Sequence, residues 1–217
     1  MNGILANIAI RAANNAATDG GASGMVETVL QRKPSGSKGG ILYTPPAFAT
    51  MNATAQAAQR CAEKLLSRGE TVAVAESSSG GKAAAALVEV AGASKFFGDG
   101  VICYSKASKA RVLALTDAQQ AAARSATEPH ALMLAEAVRS VNGTDWGVGE
   151  TGVAGPGPSA RGVNAGEGCV AVVGPDGYRA SATLSGGSGA NGNDVRGNNM
   201  DRFAAGALGL LATALAR

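Results

Sequence analysis

The amino-acid sequence predicts an α/β protein, a three-layer α/β/α sandwich built on a mixed sheet. Three observations lead there. Short apolar runs alternate with segments of helical period through most of the chain. A hairpin signature, CVAVVGPDGYRASATL, comes late and adds antiparallel strands to an otherwise crossover-connected pattern. The glycines, 31 in 217 residues, follow no G-X-Y period and gather at the junctions between runs.

Taken in order, TAQAAQRCAEKLLSRG (54–69) places Ala58, Cys61, Ala62, Leu65 and Leu66 on one helical face, and Gly69 supplies the stop. ETVAVAES then alternates as a strand, and a helix opens near Gly80-Gly81 and runs through KAAAALVEV toward Gly92. GVICYS (100–105) reads as a second buried strand, followed by the helix KASKARVLAL. Thr127 caps the next helix, with Pro129 in its first turn, and Ala131, Leu134, Ala135 and Val138 share its inner face up to Gly143. TDWGVGETG is a third strand running into the turn TGVAGPG. CVAVVG and YRASATL form the hairpin around Pro175-Asp176-Gly177. A Gly/Asn-rich loop spans 185–199, after which Asp201 is expected to cap a last helix with Phe203, Ala207, Leu211 and Leu215 in one stripe.

Composition excludes several classes. The net charge of +3 and the lack of any basic run longer than Arg32-Lys33 give no reason to expect nucleic acid. The longest uncharged stretch, 203–216, is shorter than the roughly 20 residues a membrane helix needs. Cys61, Cys103 and Cys169 are scattered, and none pairs with another cysteine or with His130 at zinc-like spacing. They read as buried apolar residues in a reducing compartment, and neither metal nor cofactor is expected.

Residues 1–53 differ from the rest: rich in Asn, Ala, Gly and Ser, and poor in acids. They read as an N-terminal extension, either a targeting segment for a mitochondrion or plastid or an arm that binds a different protein. Without targeting, the expected location is cytoplasmic. The remaining domain is expected over 54–217.

Three stretches fall at the C-terminal ends of predicted strands, where open α/β sheets place their ligand crevice: 75–81, 104–109 and 150–158. A Ser-His-Asp triad needs a histidine, and His130, in the first turn of a helix, reads as an exposed or capping residue. SSSGGKAA lacks the first glycine and final hydroxyl of a P-loop. What remains is a serine at a strand-to-helix turn, where backbone N–H groups stabilise an oxyanion. Lysine serves as proton acceptor when burial or neighbouring cations hold it uncharged, and YSKASK supplies Tyr104 and Lys109. Lys106 reads as a solvated helix residue, with repulsion of Lys109 or phosphate binding as alternatives. From spacing alone, Ser77–Ser79 read equally as a capping cluster and Glu76 as a helix-start charge.

AESSSGG (75–81) resembles the AES-x-[TS]-GG signature of the CinA C-terminal-domain family, the nicotinamide mononucleotide amidohydrolases. VAGASKFFGDGVICYSKASK (90–109) and TGVAGPGP (151–158) are similar to its next two motifs, and Arg196 with Asn199-Met200 resembles an R-x-x-N-M element. The resemblance covers 54–217 and implies an α/β/α domain that forms homo-oligomers. It also implies hydrolysis of the carboxamide of nicotinamide mononucleotide to nicotinate mononucleotide and ammonia. Mapped residue by residue, Ser77 is the nucleophile, assisted by Tyr104 and Lys109. Glu76, Ser79, Gly80, Gly81, Thr151, Gly152, Gly155 and Arg196 are the expected substrate-binding positions. Ser78 stands where Cys is frequent, Lys106 where Asn is frequent, and Glu150 is typical of one branch. The alternative reading is a catalytically silent domain serving as a structural or regulatory subunit.

Overall fold

In the computed structural model, residues 52–185 and 193–217 are described, together with a two-residue antiparallel pair, β1 (Gln31–Arg32) and β2 (Ile41–Leu42). The chain divides into two compact units, Met1–Thr50 and Met51–Arg217. Apart from β1 and β2, the residues on which a targeting segment or partner-binding arm is expected lie outside the described ones.

The second unit begins with α1 (Ala53–Arg68), capped by Asn52, whose side chain accepts from Ala55 N–H at 2.9 Å. The chain then runs β3 (Val72–Glu76), α2 (Lys82–Val88), β4 (Phe97–Ile102), α3 (Lys106–Leu113) and α4 (Asp117–Ala122). It continues with α5 (Glu128–Asn142), β5 (Trp146–Gly152), β6 (Gly168–Val173), β7 (Arg179–Leu184) and α6 (Asn193–Ala214). The sheet order is β4-β3-β5-β6-β7, with β3 parallel to both neighbours and the last two pairings antiparallel. This is the mixed sheet the sequence predicts, with the hairpin on one side.

Alternation along the strands sorts the layers. Val72, Val74, Val148, Val170 and Val172 pack with Ala58, Cys61 and Leu65 of α1, Leu87 of α2, Leu208 and Leu211 of α6, and Leu215 just beyond it. The other face carries Ala73 and Ala75 under Leu134 and Val138, and Ala171 and Val173 under Ala131 and Ala135, all from α5. That second face is built of small residues so that a helix backbone lies directly on it. A Cβ added at Gly149 would stand 2.1 Å from the Ala131 carbonyl oxygen, and one at Gly147 2.1 Å from that of Ala135. Neither neighbour is a flexible side-chain end, so α5 itself would have to move.

Several expectations change. The last helix opens at Asn193, and Asp201 sits inside it, paired with Lys82 at 2.5 Å, instead of capping it. Packing against α1, β6 and β7 outweighs the helix-poor Gly/Asn composition of 193–199. Leu66 is exposed, because α1 buries the stripe through Leu65. The strand predicted from Gly100 starts earlier, at Phe97, and Tyr104 lies in the link before α3, which Ser105 caps. That helix ends at Leu113, with Ala114 at φ 53°, and α4 was not predicted. Among the described residues, no helix is long and apolar enough to cross a membrane.

The close contact of α5 gives a first prediction. Gly149→Ala should lower stability by about 1–3 kcal/mol, the usual cost of overpacking. Urea unfolding should show a lower midpoint with an unchanged slope; a midpoint equal to that of the parent protein would show that α5 has room to spare.

Candidate active site

The turn 77–81 is held by two buried carboxylates. The parallel register of β3 on β5, whose last pair is Ala75 with Gly149, brings the next residue of each strand, Glu76 and Glu150, to the same sheet edge. Both lie on the α1/α6 face of the sheet at its C-terminal edge, with Glu76 1% and Glu150 0% exposed. Glu76 reaches forward over the start of α2, accepting from Gly81 N–H (3.0 Å), Ala83 N–H (3.1 Å) and Ala84 N–H (2.7 Å). It thereby replaces a cap, since Gly81, the residue before α2, has φ 96° and no capping side chain. Glu150 accepts from Ser77 N–H (3.0 Å), Ser79 N–H (2.9 Å) and the Ser78 hydroxyl.

Between the carboxylates stands Ser79 Oγ, 2.6 Å from Glu76 and 2.7 Å from Glu150. A hydroxyl has one hydrogen. With both carboxylates ionised, one of these contacts would set lone pair against lone pair, so the pair holds a proton. Burial drives the Glu150 carboxyl above the usual carboxylate range, while the Ser78 hydroxyl, the Ser79 and Ser77 amides and the Ser79 hydroxyl pull it back.

These contacts change the assignment of three expected substrate-binding residues. Glu76 and Ser79 are sealed in the interior, with Glu76 fully engaged by α2 backbone, so neither can touch a substrate. Thr151 is buried too, and its Oγ1 accepts from Ala126 N–H at 3.0 Å, fixing the entry to α5. Thr151 and Gly152 pair with Cys169 and Gly168 in the β5–β6 ladder. Of the expected oxyanion donors, Gly81 N–H belongs to Glu76, whereas Gly80, exposed and at φ 68°, has no hydrogen-bond partner for its amide among the described residues. Arg196 Nη1 donates to the Gly155 carbonyl at 2.8 Å and Asn199 Nδ2 to that of Ala154 at 3.0 Å. α6 therefore holds the 154–155 turn, which includes the cis Gly155-Pro156 bond.

The expected catalytic residues are related through the backbone of the link before α3. Cys103 N–H donates to the Glu76 carbonyl at 2.8 Å, which brings the 103–105 link beside Ser77. Ser77 is half-buried, and its hydroxyl makes no hydrogen bond among the described residues, although its amide is fixed by Glu150. Lys109 is 5% exposed, and its ammonium group has one polar contact, a long 3.5 Å approach to the Tyr104 carbonyl. Tyr104 is 64% exposed, and no hydrogen bond joins it or Lys109 to Ser77. Lys106 is paired with Asp117 at 2.8 Å at the surface, as a solvated helix residue would be. Burial pushes the Cys103 thiol up to about 11, so it is no nucleophile at neutral pH.

His130 is a correction. It is 3% exposed, neither surface nor cap, since Thr127 does the capping. Its Nδ1 lies 2.9 Å from the Ala123 carbonyl and must carry the hydrogen, which leaves Nε2 as an acceptor. Sequence reasoning also missed Arg124 and Arg161, which line a cavity of about 560 Å³ with Tyr104, Lys106, Lys109 and His130. Arg124 lies after α4, an element the sequence did not reveal, and Arg161 in the 156–167 loop.

Comparison with known proteins agrees with this architecture. The family profile described as the CinA C-terminal domain matches residues 54–215. Among curated relatives, a CinA-like protein of Anaeromyxobacter dehalogenans (strain 2CP-C) is 44% identical over 119 residues, 55% of this chain and 29% of that protein. A CinA-like protein of Synechococcus sp. (strain CC9902) is 41% identical over 109 residues, 50% of this chain and 26% of its own. The chain thus spans under a third of the length of these relatives. Among solved structures, the competence/damage inducible protein CihA of Agrobacterium tumefaciens superposes with a TM-score of 0.69 at 24% identity, covering 79% of this chain and 100% of its own. A CinA superfamily protein of Klebsiella pneumoniae 700603 gives 0.67 at 25% identity, covering 76% and 99%. The fold is an α/β sandwich of the kind these structures share. The chain belongs to the CinA C-terminal domain family.

The shared proton yields a second prediction. Because the folded pKa of Glu150 is raised from 4.5, the unfolded chain loses its proton first as pH rises. Stability from this group is fully present below that value and is lost as pH climbs through the folded pKa. Glu150→Gln should therefore gain stability relative to the parent between acidic and neutral pH, in urea titrations across that range. Glu150→Ala, which strips the acceptor from two amides and two hydroxyls, should cost roughly 3–5 kcal/mol at any pH. Equal pH profiles for the parent and the Gln variant would remove the proton from the pair.

Proposed function

We propose that this domain is an amidohydrolase that cleaves the carboxamide of a pyridine mononucleotide, nicotinamide mononucleotide being the substrate implied by the family motifs. The observation that carries the reading is the buried Lys109 amine, whose one long polar contact is to the carbonyl of Tyr104, in the link that Cys103 ties to the Glu76 carbonyl, one residue before Ser77, whose hydroxyl has no partner among the described residues. Ser77 Oγ attacks the carboxamide carbon, and Lys109 takes the hydroxyl proton directly or through Tyr104. The Gly80 amide is the donor left for the tetrahedral oxyanion; losing one such donor typically raises a barrier by about 2.7–4 kcal/mol. The C–N bond then breaks, ammonia leaves with the proton returned by Lys109, and water hydrolyses the acyl ester to free the carboxylate and Ser77.

A second reading, a silent domain in a structural or regulatory role, draws on one observation: no hydrogen bond joins Ser77 to Lys109 or Tyr104. Apo geometry in hydrolases is often loose and tightens with substrate, so the gap does not favour silence by itself. Ammonia release from nicotinamide mononucleotide separates the two. The parent protein should release it, Ser77→Ala and Lys109→Ala should lose at least a thousandfold, and Tyr104→Phe should lose less. Equal rates for the parent and Ser77→Ala, or no release by the parent, would reject the hydrolase.

A further inference from the structure

The turn that carries Ser77 is not held by its own backbone. Among the described residues, none of the amides of residues 77–80 donates to a backbone carbonyl. The strand before the turn is paired, Ala75 with Val101 and Glu76 with Ile102, and beyond it the Ala85 amide bonds back to the Gly81 carbonyl at 2.9 Å. In between, two of the amides are taken by one side chain. Glu150 Oε2 accepts from Ser77 N–H at 3.0 Å and from Ser79 N–H at 2.9 Å.

The same carboxyl sorts the three serines. Its Oε1 takes the Ser78 hydroxyl, its Oε2 stands 2.7 Å from the Ser79 hydroxyl, and both serines are buried. Ser77 gives Glu150 its amide and keeps its hydroxyl, which has no partner among the described residues. With that amide fixed, the hydroxyl is left with the staggered rotamers of one side-chain torsion. Glu150 is itself an anchor with little play. Its backbone lies in the central strand β5, where it pairs with Val170 of β6, and the preceding residue, Gly149, pairs with Ala75 of β3. The Ser77 backbone is thus tied to the middle of the sheet.

We propose that Glu150 is the positioning residue of the nucleophile, fixing the Ser77 backbone from inside the sheet by its reach and not by its charge. The role rests on the amidohydrolase reading, which makes Ser77 the nucleophile. Reach and charge separate because the amides and hydroxyls that Glu150 accepts from are all neutral donors. A glutamine is as long: its carbonyl oxygen fits where Oε2 lies between the two amides, and its NH2 group donates to the Ser78 hydroxyl. An aspartate keeps the charge but is one methylene shorter, and it meets the amides only if the turn sinks toward β5. Misplacing a reacting group by about 1 Å costs on the order of a hundredfold in rate. A Glu150 that served stability alone would leave the rate per folded molecule unchanged.

The test compares Glu150→Gln with Glu150→Asp in the full chain, at a temperature where thermal melting shows each folded. Two readouts are taken. One is kcat and KM for ammonia release from nicotinamide mononucleotide. The other is the rate at which an alkyl fluorophosphonate labels Ser77, located by peptide mass with Ser77→Ala as the blank. Glu150→Asp should lose about a hundredfold in kcat and in labelling rate with KM little changed, whereas Glu150→Gln should keep both rates within about threefold of the parent. Parental rates in the aspartate variant, or equal losses in the two variants, overturn the proposal. Should the aspartate variant not fold, amide hydrogen exchange in the parent decides. The Ser77 and Ser79 amides should exchange far more slowly than the exposed Gly80 amide, and equal exchange overturns the proposal. Ser77 labelling without ammonia release by the parent sinks the hydrolase reading, and the labelling rates then judge the positioning role alone. Ammonia release that neither substitution changes does the reverse.

Discussion

A single serine hydroxyl wedged between two buried carboxylates sets the geometry of this domain's rim. Glu76 gathers the first amides of α2, Glu150 gathers those of Ser77 and Ser79, and Ser79 Oγ ties the two together. Burying two acids side by side is costly unless their oxygens are filled and one charge is neutralised. Here backbone donors and serine hydroxyls fill them, and burial shifts the Glu150 carboxyl toward its neutral form. The consequence is directional: with amides 77 and 79 pulled inward, the Ser77 hydroxyl is left half-buried and without a partner among the described residues.

The rest of the site follows from how closely elements approach that corner. Small residues on the opposite sheet face let α5 lie almost on the strands, which carries Ala126, Thr127 and His130 to the same edge. On the near side, Cys103 is bonded to the Glu76 carbonyl, so the link to α3 is tied to the end of β3, and the Lys109 amine approaches the Tyr104 carbonyl of that link. α6 closes the third side through Arg196 and Asn199, which grip the 154–155 carbonyls. The Ser77 turn, the buried Lys109 amine and the cavity are thus supplied by separate elements that share one dependence on tight backbone packing.

Much of this was legible in the sequence, for identifiable reasons. Alternation in VAVAE and WGVGE marked two buried strands, and glycines after them marked the turns. The capping of α5 by Thr127 and the hairpin at 175–177 followed from local turn chemistry. The task of the carboxylates was hidden, because sequence shows Glu76 and Glu150 as two charges 74 positions apart; only parallel register makes them neighbours. His130 was misplaced because helix position alone does not tell which flank is covered. α4 is too short and too polar to announce itself by period, and so the cavity it helps to shape was invisible.

The most direct measurement is the infrared absorption of the carboxyl groups at neutral pH, taken as a difference between the parent protein and Glu150→Gln. The account predicts a protonated carboxylic acid band in the parent that is absent from the variant, because the pair holds one proton that Glu150 is needed to keep. A parent spectrum with ionised carboxylates only, unchanged apart from the loss of one carboxylate signal in the variant, would contradict it.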